Sequence, residues 1–245
     1  MSWLSLVGLH WLRPGLNRVG SDPASEVPLP PGAARSGTLT VSDDGVVADG
    51  DLTGHEAVRL VSDLHGEPTL LELGNLRLCV IDRGGRLAVR AWDVAAPALT
   101  GFRGIDHWPI DPTWRLDARF EPTPGRMLPV PDVIGTAEEQ PSPGDVVFEV
   151  AGAVHRLQAL VGGESGALWL VFGDATNGRE TYGGGRFVYT GVPEPSGGVE
   201  LDFNRAYNPP CVFSPFATCP LPWPANRLGI RVEAGERAYP ARHSA

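Results

Sequence analysis

The 245 residues carry a formal net charge of −9, 42% hydrophobic side chains and 20 basic residues, all of them Arg. A chain of this length can bury a sizeable core as one large β domain or two small ones. Its acidic balance argues against nucleic acid or an anionic membrane as partner, since both need a basic face, and the lack of Lys removes Schiff-base chemistry, a catalytic Lys–Ser pair and any P-loop.

The opening MSWLSLVGLHWLRPG has no basic lead, and Gly8, His10 and Arg13 break its apolar run, so it reads as neither a secretory signal nor a membrane span. With three cysteines and no export signal, the expected setting is the reducing cytoplasm, with thiols by default. Leu39 and Val41, then Asp43-Asp44-Gly45, then Val46-Val47 predict a first hairpin. Thr53-x-x-Glu56 is a formal capping box, and Ala57, Leu60, Val61 and Leu64 follow at helical spacing, which predicts a short helix. Leu76, Leu78 and Val80 share a face, Asp82–Gly85 turns, and Leu87, Val89 and Ala91 return as a second hairpin. Residues 96–143 contain GFRGIDHWPIDPTW, EPTPGRMLPVPDV and PSPG and read as a Pro-rich surface connection between two β units, with a boundary near Thr100. Phe148 and Val150, a turn at Gly152, and residues 154–160 make a third hairpin. ALWLVF at 167–172 fits a strand buried on both faces. Residues 186–190 and 199–203 add two strands, and 229–232 is expected to end the set. The predicted architecture is all-β: a sandwich-like part over 1–100 and a barrel-like part over 101–245.

Residues 202–227 are the most specific stretch, with six prolines and two of the cysteines on irregular backbone. Side chains of such variety on a loop usually hold one shape. Cys211 and Cys219 can be buried thiols, a loop-closing disulfide, or a nucleophile and its neighbour. The histidines after the boundary, His107, His155 and His243, make no compelling Cys–His pair. C-x7-C without a second ligand pair is a poor zinc signature, so no metal is assigned, and the sequence names no cofactor. Arg179, Arg186, Arg205 and Arg227 would grip a carboxylate or phosphate if they converge; the alternative is internal pairing with Asp174, Glu180, Asp202 or Glu233. Asn204, Asn208 and Asn226 either contact a ligand or brace the loop backbone. Tyr182 and Tyr207 are proton donors or packed rings. Gly183-Gly184-Gly185 reads as a tight turn or bulge rather than a phosphate loop, and Glu233 with Glu236 as a solvated turn rather than a glycosidase pair. The resulting expectation is a concave polar site for a small anionic molecule. Arg179, Arg186, Asn204, Arg205, Asn208 and Arg227 would bind it, Cys211 would be the nucleophile, and Tyr182 or Tyr207 the proton donor. The alternative is a structural or protein-interaction module in which the Cys/Pro/Asn loop is a plug.

Several long motifs carry a resemblance: WLSLVGLHWLRPGLNRVGSDP at Trp3–Pro23, VIDRGG at Val80–Gly85, GIDHWPIDPTWRLDARF at Gly104–Phe120, DATNGRETYGGGRFVY at Asp174–Tyr189, and LDFNRAYNPPCVFSPFATCPLPWPANRL at Leu201–Leu228. On these the chain resembles, over nearly its full length, a bacterial family known only as domain-of-unknown-function family 1684. The resemblance implies β structure throughout, which tips 53–64 towards strand, and supplies no activity. It also implies that this copy starts late, since members carry a helical lead-in before WLSL. VGSDPASEVPLP at Val19–Pro30 is similar to a forkhead-associated β-sandwich. Such domains hold phosphothreonine with an Arg directly after the Gly. Here Ser21 follows Gly20 and no Ser-x-x-His precedes Leu39, so phosphopeptide binding is not implied, and a fold alone does not license it.

Overall fold

Period-2 alternation in the first hundred residues resolves, among the described residues, into nine strands: β1 (Leu6–Trp11), β2 (Gly15–Gly20), β3 (Val27–Pro28), β4 (Gly37–Ser42), β5 (Gly45–Gly50), β6 (Val58–Leu60), β7 (Leu71–Leu73), β8 (Leu76–Arg83) and β9 (Arg86–Asp93). The computed structural model describes residues 1–30, 36–163 and 166–239, so His243 lies outside the described residues. The chain divides into two compact units, Met1–Phe102 and Arg103–Ala245. In the first, a sheet ordered β1-β9-β8-β7 faces another ordered β3-β2-β4-β5-β6. Leu39, Val46 and Leu60 of one sheet share a core with Leu78, Val80 and Val89 of the other, which makes a two-sheet sandwich. The β8–β9 hairpin closes on Gly84 and Gly85, both at positive φ (61° and 80°). Side chains other than Gly, Asn or Asp resist that pair of conformations in a two-residue turn.

The capping box does not start a helix. The Thr53 hydroxyl donates to the carbonyls of Gly50 (3.3 Å) and Glu56 instead of accepting a helical N–H. Val58 and Leu60 then pair with Ala48 and Val46 as β6. Leu60 is buried in the sandwich core, and a helix would withdraw its backbone from that ladder. A one-turn helix, α1 (Pro97–Gly101), ends the unit.

Among the described residues the second unit is one sheet of six strands: β10 (Arg115–Pro131), β11 (Ala137–Val150), β12 (Ala153–Val161), β13 (Leu168–Phe172), β14 (Arg186–Tyr189) and β15 (Gly198–Asp202), in the order β14-β13-β12-β11-β10-β15. The sheet curls into a half-barrel. Next to its two outer strands, Gly191 N–H donates to Glu200 O at 2.9 Å. Phe203 fills the hollow, meeting Phe148 and Phe172 edge-on with ring centroids 5.6 and 5.2 Å away. Leu157, Leu170 and Leu201, all fully buried, surround it.

Two expectations fail here. Residues 96–114 of the Pro-rich stretch do connect the two units without a strand, but from Arg115 onward the stretch is not a surface connection and forms the two longest strands among the described residues. β10 pairs with β15 only over residues 115–119, and β11 with β12 only over 144–150. Beyond those limits Arg126–Pro131 and Ala137–Ser142 pair only with each other, as a two-stranded ribbon. Proline is tolerated where its missing N–H would face away from the ladder. Pro129, Pro131 and Pro141 all fall in that phase, since the Pro131 carbonyl points outward to accept from Leu221 N–H at 2.7 Å. The second failure is the strand at 229–232. That segment runs beside residues 173–175, held by Ala175 N–H to Ile230 O and Val232 N–H to the Asp174 carboxylate, without forming a ladder.

Candidate functional site

Arg186 opens β14 and is completely buried. Its Nη2 donates to Asp174 Oδ2 (2.9 Å) and Val232 O (2.8 Å), and its Nη1 donates to Ala234 O (2.5 Å) and Glu236 O (3.1 Å). Both side chains of the ion pair have no exposure. Asp174 Oδ1 accepts from the Thr176 N–H and hydroxyl, at 2.8 and 2.6 Å. Burial lowers the Arg186 pKa, against the opposing pull of Asp174. The expected anion grip by Arg186 is therefore corrected: its guanidinium ties three carbonyls of the 232–236 segment to the barrel, and although Nε has no partner, the group is completely buried beside Asp174.

The Cys/Pro/Asn loop is anchored at both ends by backbone. The ribbon tip grips its middle, where Val133 N–H donates to Cys219 O (3.0 Å) and Leu221 N–H to Pro131 O. Asn226, fully buried, donates through Nδ2 to Gln158 O and Val171 O, each at 2.9 Å, and accepts from Gln158 N–H at 2.8 Å. Trp223 Nε1 donates to Gln158 Oε1 at 2.6 Å. Asn226→Ala strands three buried backbone groups at once. It is expected to cost roughly 2–4 kcal/mol of stability, read as an earlier denaturant midpoint with an unchanged slope; a loss under half a kcal/mol would show that the loop is held some other way.

This anchoring brings Cys211 onto Cys219. A 3-10 turn (Pro210–Val212) points the Cys211 N–H at Cys219 Sγ, 3.1 Å away. The side chains of Cys219 and Tyr182 lie within interaction range of the Cys211 sulfur. The Cys219 interaction contributes most to lowering the Cys211 pKa to about 7, with Tyr182 and the backbone N–H adding to it against the opposing effect of burial. Burial and the neighbouring sulfur raise Tyr182, so it stays protonated as a donor. Cys211 is half-buried, Cys219 buried, and no disulfide joins them. Tyr182 sits at the head of the glycine run. Gly185, at φ +86°, lies so close to Phe172 O and Pro222 that a Cβ there would meet them at 2.6 and 2.8 Å.

The remaining expected residues separate into braces and exposed cations. Asn204 accepts from Asp111 N–H (3.0 Å) and donates to Asp111 O (2.9 Å). Asn208 donates to Arg237 O at 2.8 Å. Both hold backbone rather than facing a hollow. Arg205 is exposed beside Asp202 (3.7 Å). Tyr207 belongs to an aromatic stack, its ring 6.2 Å from Tyr189 and its backbone paired with Phe187. Arg179 and Arg227 are exposed, and among the described residues their guanidinium groups make no hydrogen bond or ion pair. Arg227 Nη1 lies over Gly173, and Pro222 packs between Gly173 and Gly185, so the Arg227 and Tyr182 segments adjoin. Among the described residues no three His, Cys, Asp or Glu converge to hold a metal. A surface groove of about 600 Å³ lies elsewhere, between β10 and residues 193–197, with Arg119 and Glu121 on its wall.

From sequence, Cys211 was grouped with the arginines and with Tyr182 or Tyr207; the structure places Tyr182 and Cys219 beside it and Tyr207 in a separate aromatic stack. The eight-residue spacing of the cysteines was visible, but not the ribbon tip that folds one back on the other. No helix among the described residues is long and apolar enough to cross a membrane.

The chain is similar, at 29% identity, to an uncharacterized protein of Haloarcula marismortui solved in solution by NMR. That similarity covers 60% of this chain and 82% of the other, with a TM-score of 0.47. No curated protein matches it. A family model described as "Protein of unknown function (DUF1684)" matches residues 100–237, which takes in the barrel, the ribbon and the Cys/Pro/Asn loop but not the motifs at Trp3–Pro23 and Val80–Gly85. With more than half its length matched, the chain belongs to that family of unknown function.

Proposed function

We infer that the second unit binds or transforms a small polar anion at a site whose reactive group is the Cys211 thiol. The observation that carries this reading is the convergence of Cys211, Cys219 and Tyr182 from two separate stretches around one half-buried sulfur. Hydrogen bonds to a thiolate favour the ionised, nucleophilic form. Arg227 and Arg179 supply exposed positive charge on adjoining segments; Arg179 lies near Glu180, and among the described residues neither guanidinium makes an ion pair. Three thiols without a disulfide accord with a reducing, cytoplasmic setting.

The test is a thermal melt of the reduced protein with small carboxylates and phosphates. A ligand about 100-fold above its Kd raises Tm by roughly 5 °C or more, and Arg227→Ala removes most of that shift. Absence of any shift across the panel would sink the reading. A second reading, a non-enzymatic module whose loop is a self-braced plug, draws support from Asn204, Asn208 and Asn226, each bonded to backbone. It predicts that anions leave Tm unmoved and that alkylating Cys211 changes nothing but mass.

A further inference from the structure

The two sulfurs of the loop are unequally placed. Cys219 is buried, with its carbonyl pinned to the ribbon tip through Val133 N–H. Cys211 is more accessible, sits on a 3-10 turn, and directs its own N–H at the Cys219 sulfur 3.1 Å away. That arrangement puts an accessible attacking thiol ahead of a protected second thiol already within reach of it. A structural pair of buried thiols would need neither the asymmetry nor the Tyr182 hydroxyl on the Cys211 sulfur. Arg227 and Arg179 add charge for a carboxylate on whatever approaches.

We propose that Cys211 and Cys219 form a two-thiol redox centre that reduces a low-molecular-weight disulfide bearing carboxylates. This rests on the reading of Cys211 as the reactive group. The Cys211 thiolate attacks one sulfur of the substrate disulfide, whose S–S bond breaks. One substrate thiolate leaves and takes up a proton, and a mixed disulfide remains on Cys211. Cys219 loses its proton and attacks the Cys211 sulfur, displacing the second substrate thiolate, which is protonated in turn. The substrate gains two electrons and becomes two thiols; the protein loses two electrons and holds a Cys211–Cys219 disulfide. A dithiol reductant returns it to the starting state by the reverse exchange.

The test uses the full chain and dithiobis(nitrobenzoate), a carboxylated aromatic disulfide whose thiolate product is coloured. The wild type is expected to release two coloured thiolates per chain and retain none on the protein, with a Cys211–Cys219 crosslink in its peptide map. Cys219→Ser stops after one release and keeps the label on Cys211. Cys211→Ser slows release by at least about a hundredfold, because the buried thiol lacks access. Exchanging the reagent for uncharged dithiodipyridine lowers the wild-type rate more than that of Arg227→Ala. A wild type that keeps one label on Cys211 overturns the redox centre, and if anions still raise its Tm the site reading stands without it. A Cys211 that does not react at all overturns both. Because the wild-type stoichiometry decides the matter alone, poor folding of either Ser variant does not shield the proposal.

Discussion

Asp174→Ala lowers the stability of the second unit by about 3–5 kcal/mol, because it leaves the Arg186 guanidinium charged, buried and without its carboxylate. The loss exceeds that of an ordinary surface ion pair, which contributes about 1 kcal/mol or less. Two comparisons separate the causes. Asp174→Asn keeps an acceptor for Thr176 but not the charge, and should recover only part of the loss. The double replacement Asp174→Leu with Arg186→Met removes both charges and should be less destabilising than Asp174→Ala alone, since a buried pair can be exchanged for apolar packing at smaller cost than it can be halved. Chemical denaturation followed by Trp fluorescence reads all three. An Asp174→Ala protein within 1 kcal/mol of wild type would show that the ion pair is dispensable and that the 232–236 segment is held by other means.

At pH 7.5 the alkylating reagent iodoacetamide modifies Cys211 at least about tenfold faster than Cys79. Hydrogen bonds hold the Cys211 pKa at about 7, while burial pushes the Cys79 thiol up to about 11. The thiolate is the nucleophile, so the rate follows the ionised fraction of each group. For Cys211 it climbs as pH rises through about 7 and levels off above 8. Cys219→Ala should shift that midpoint upward more than Tyr182→Phe does, because the Cys219 hydrogen bond is the largest cause of the depression. Stability follows the same sign. A thiol whose folded pKa lies below its unfolded value of about 8.5 contributes stability that is present above that value and fades as pH falls through about 7. A rate profile centred near 8.5, or modification of Cys79 in step with Cys211, would refute the assignment. Peptide mapping of singly modified protein distinguishes the two sites.

The hairpins were legible because their signal is local. Leu76, Leu78 and Val80 across from Leu87, Val89 and Ala91 repeat every second residue around a Gly-Gly turn, and register then follows from which face is buried. The buried strand at Leu168–Phe172 was legible by its length and its flanking glycines. The Pro-rich ribbon was not, because proline argues against a strand unless one knows that neither flank is paired, and that depends on where β12 and β15 stop. The capping box misled for a related reason: Thr53 and Glu56 meet the spacing rule, but the ladder from β5 claims Val58 and Leu60. At the candidate site the residue types were visible and Asp174 and Tyr182 were among the partners weighed, but which side chains would meet was not. Arg186 looks like any exposed Arg until Asp174 and the 232–236 carbonyls are placed around it. Cys211 and Tyr182 are separated by twenty-eight intervening residues, and only the folded path of β14, β15 and the loop makes them neighbours.

The ribbon has a bearing on how this protein meets other chains. A bare pair of strands with both flanks unpaired would ordinarily offer a template on which a passing polypeptide could zip itself, hydrogen bond by hydrogen bond. Here Pro129, Pro131 and Pro141 remove three donors from the outward phase, and the Pro131 carbonyl is already taken by Leu221. The same prolines that hide the strands from a reader of the sequence leave the rim with a broken row of donors, a poorer edge on which a passing chain could grow a fibre.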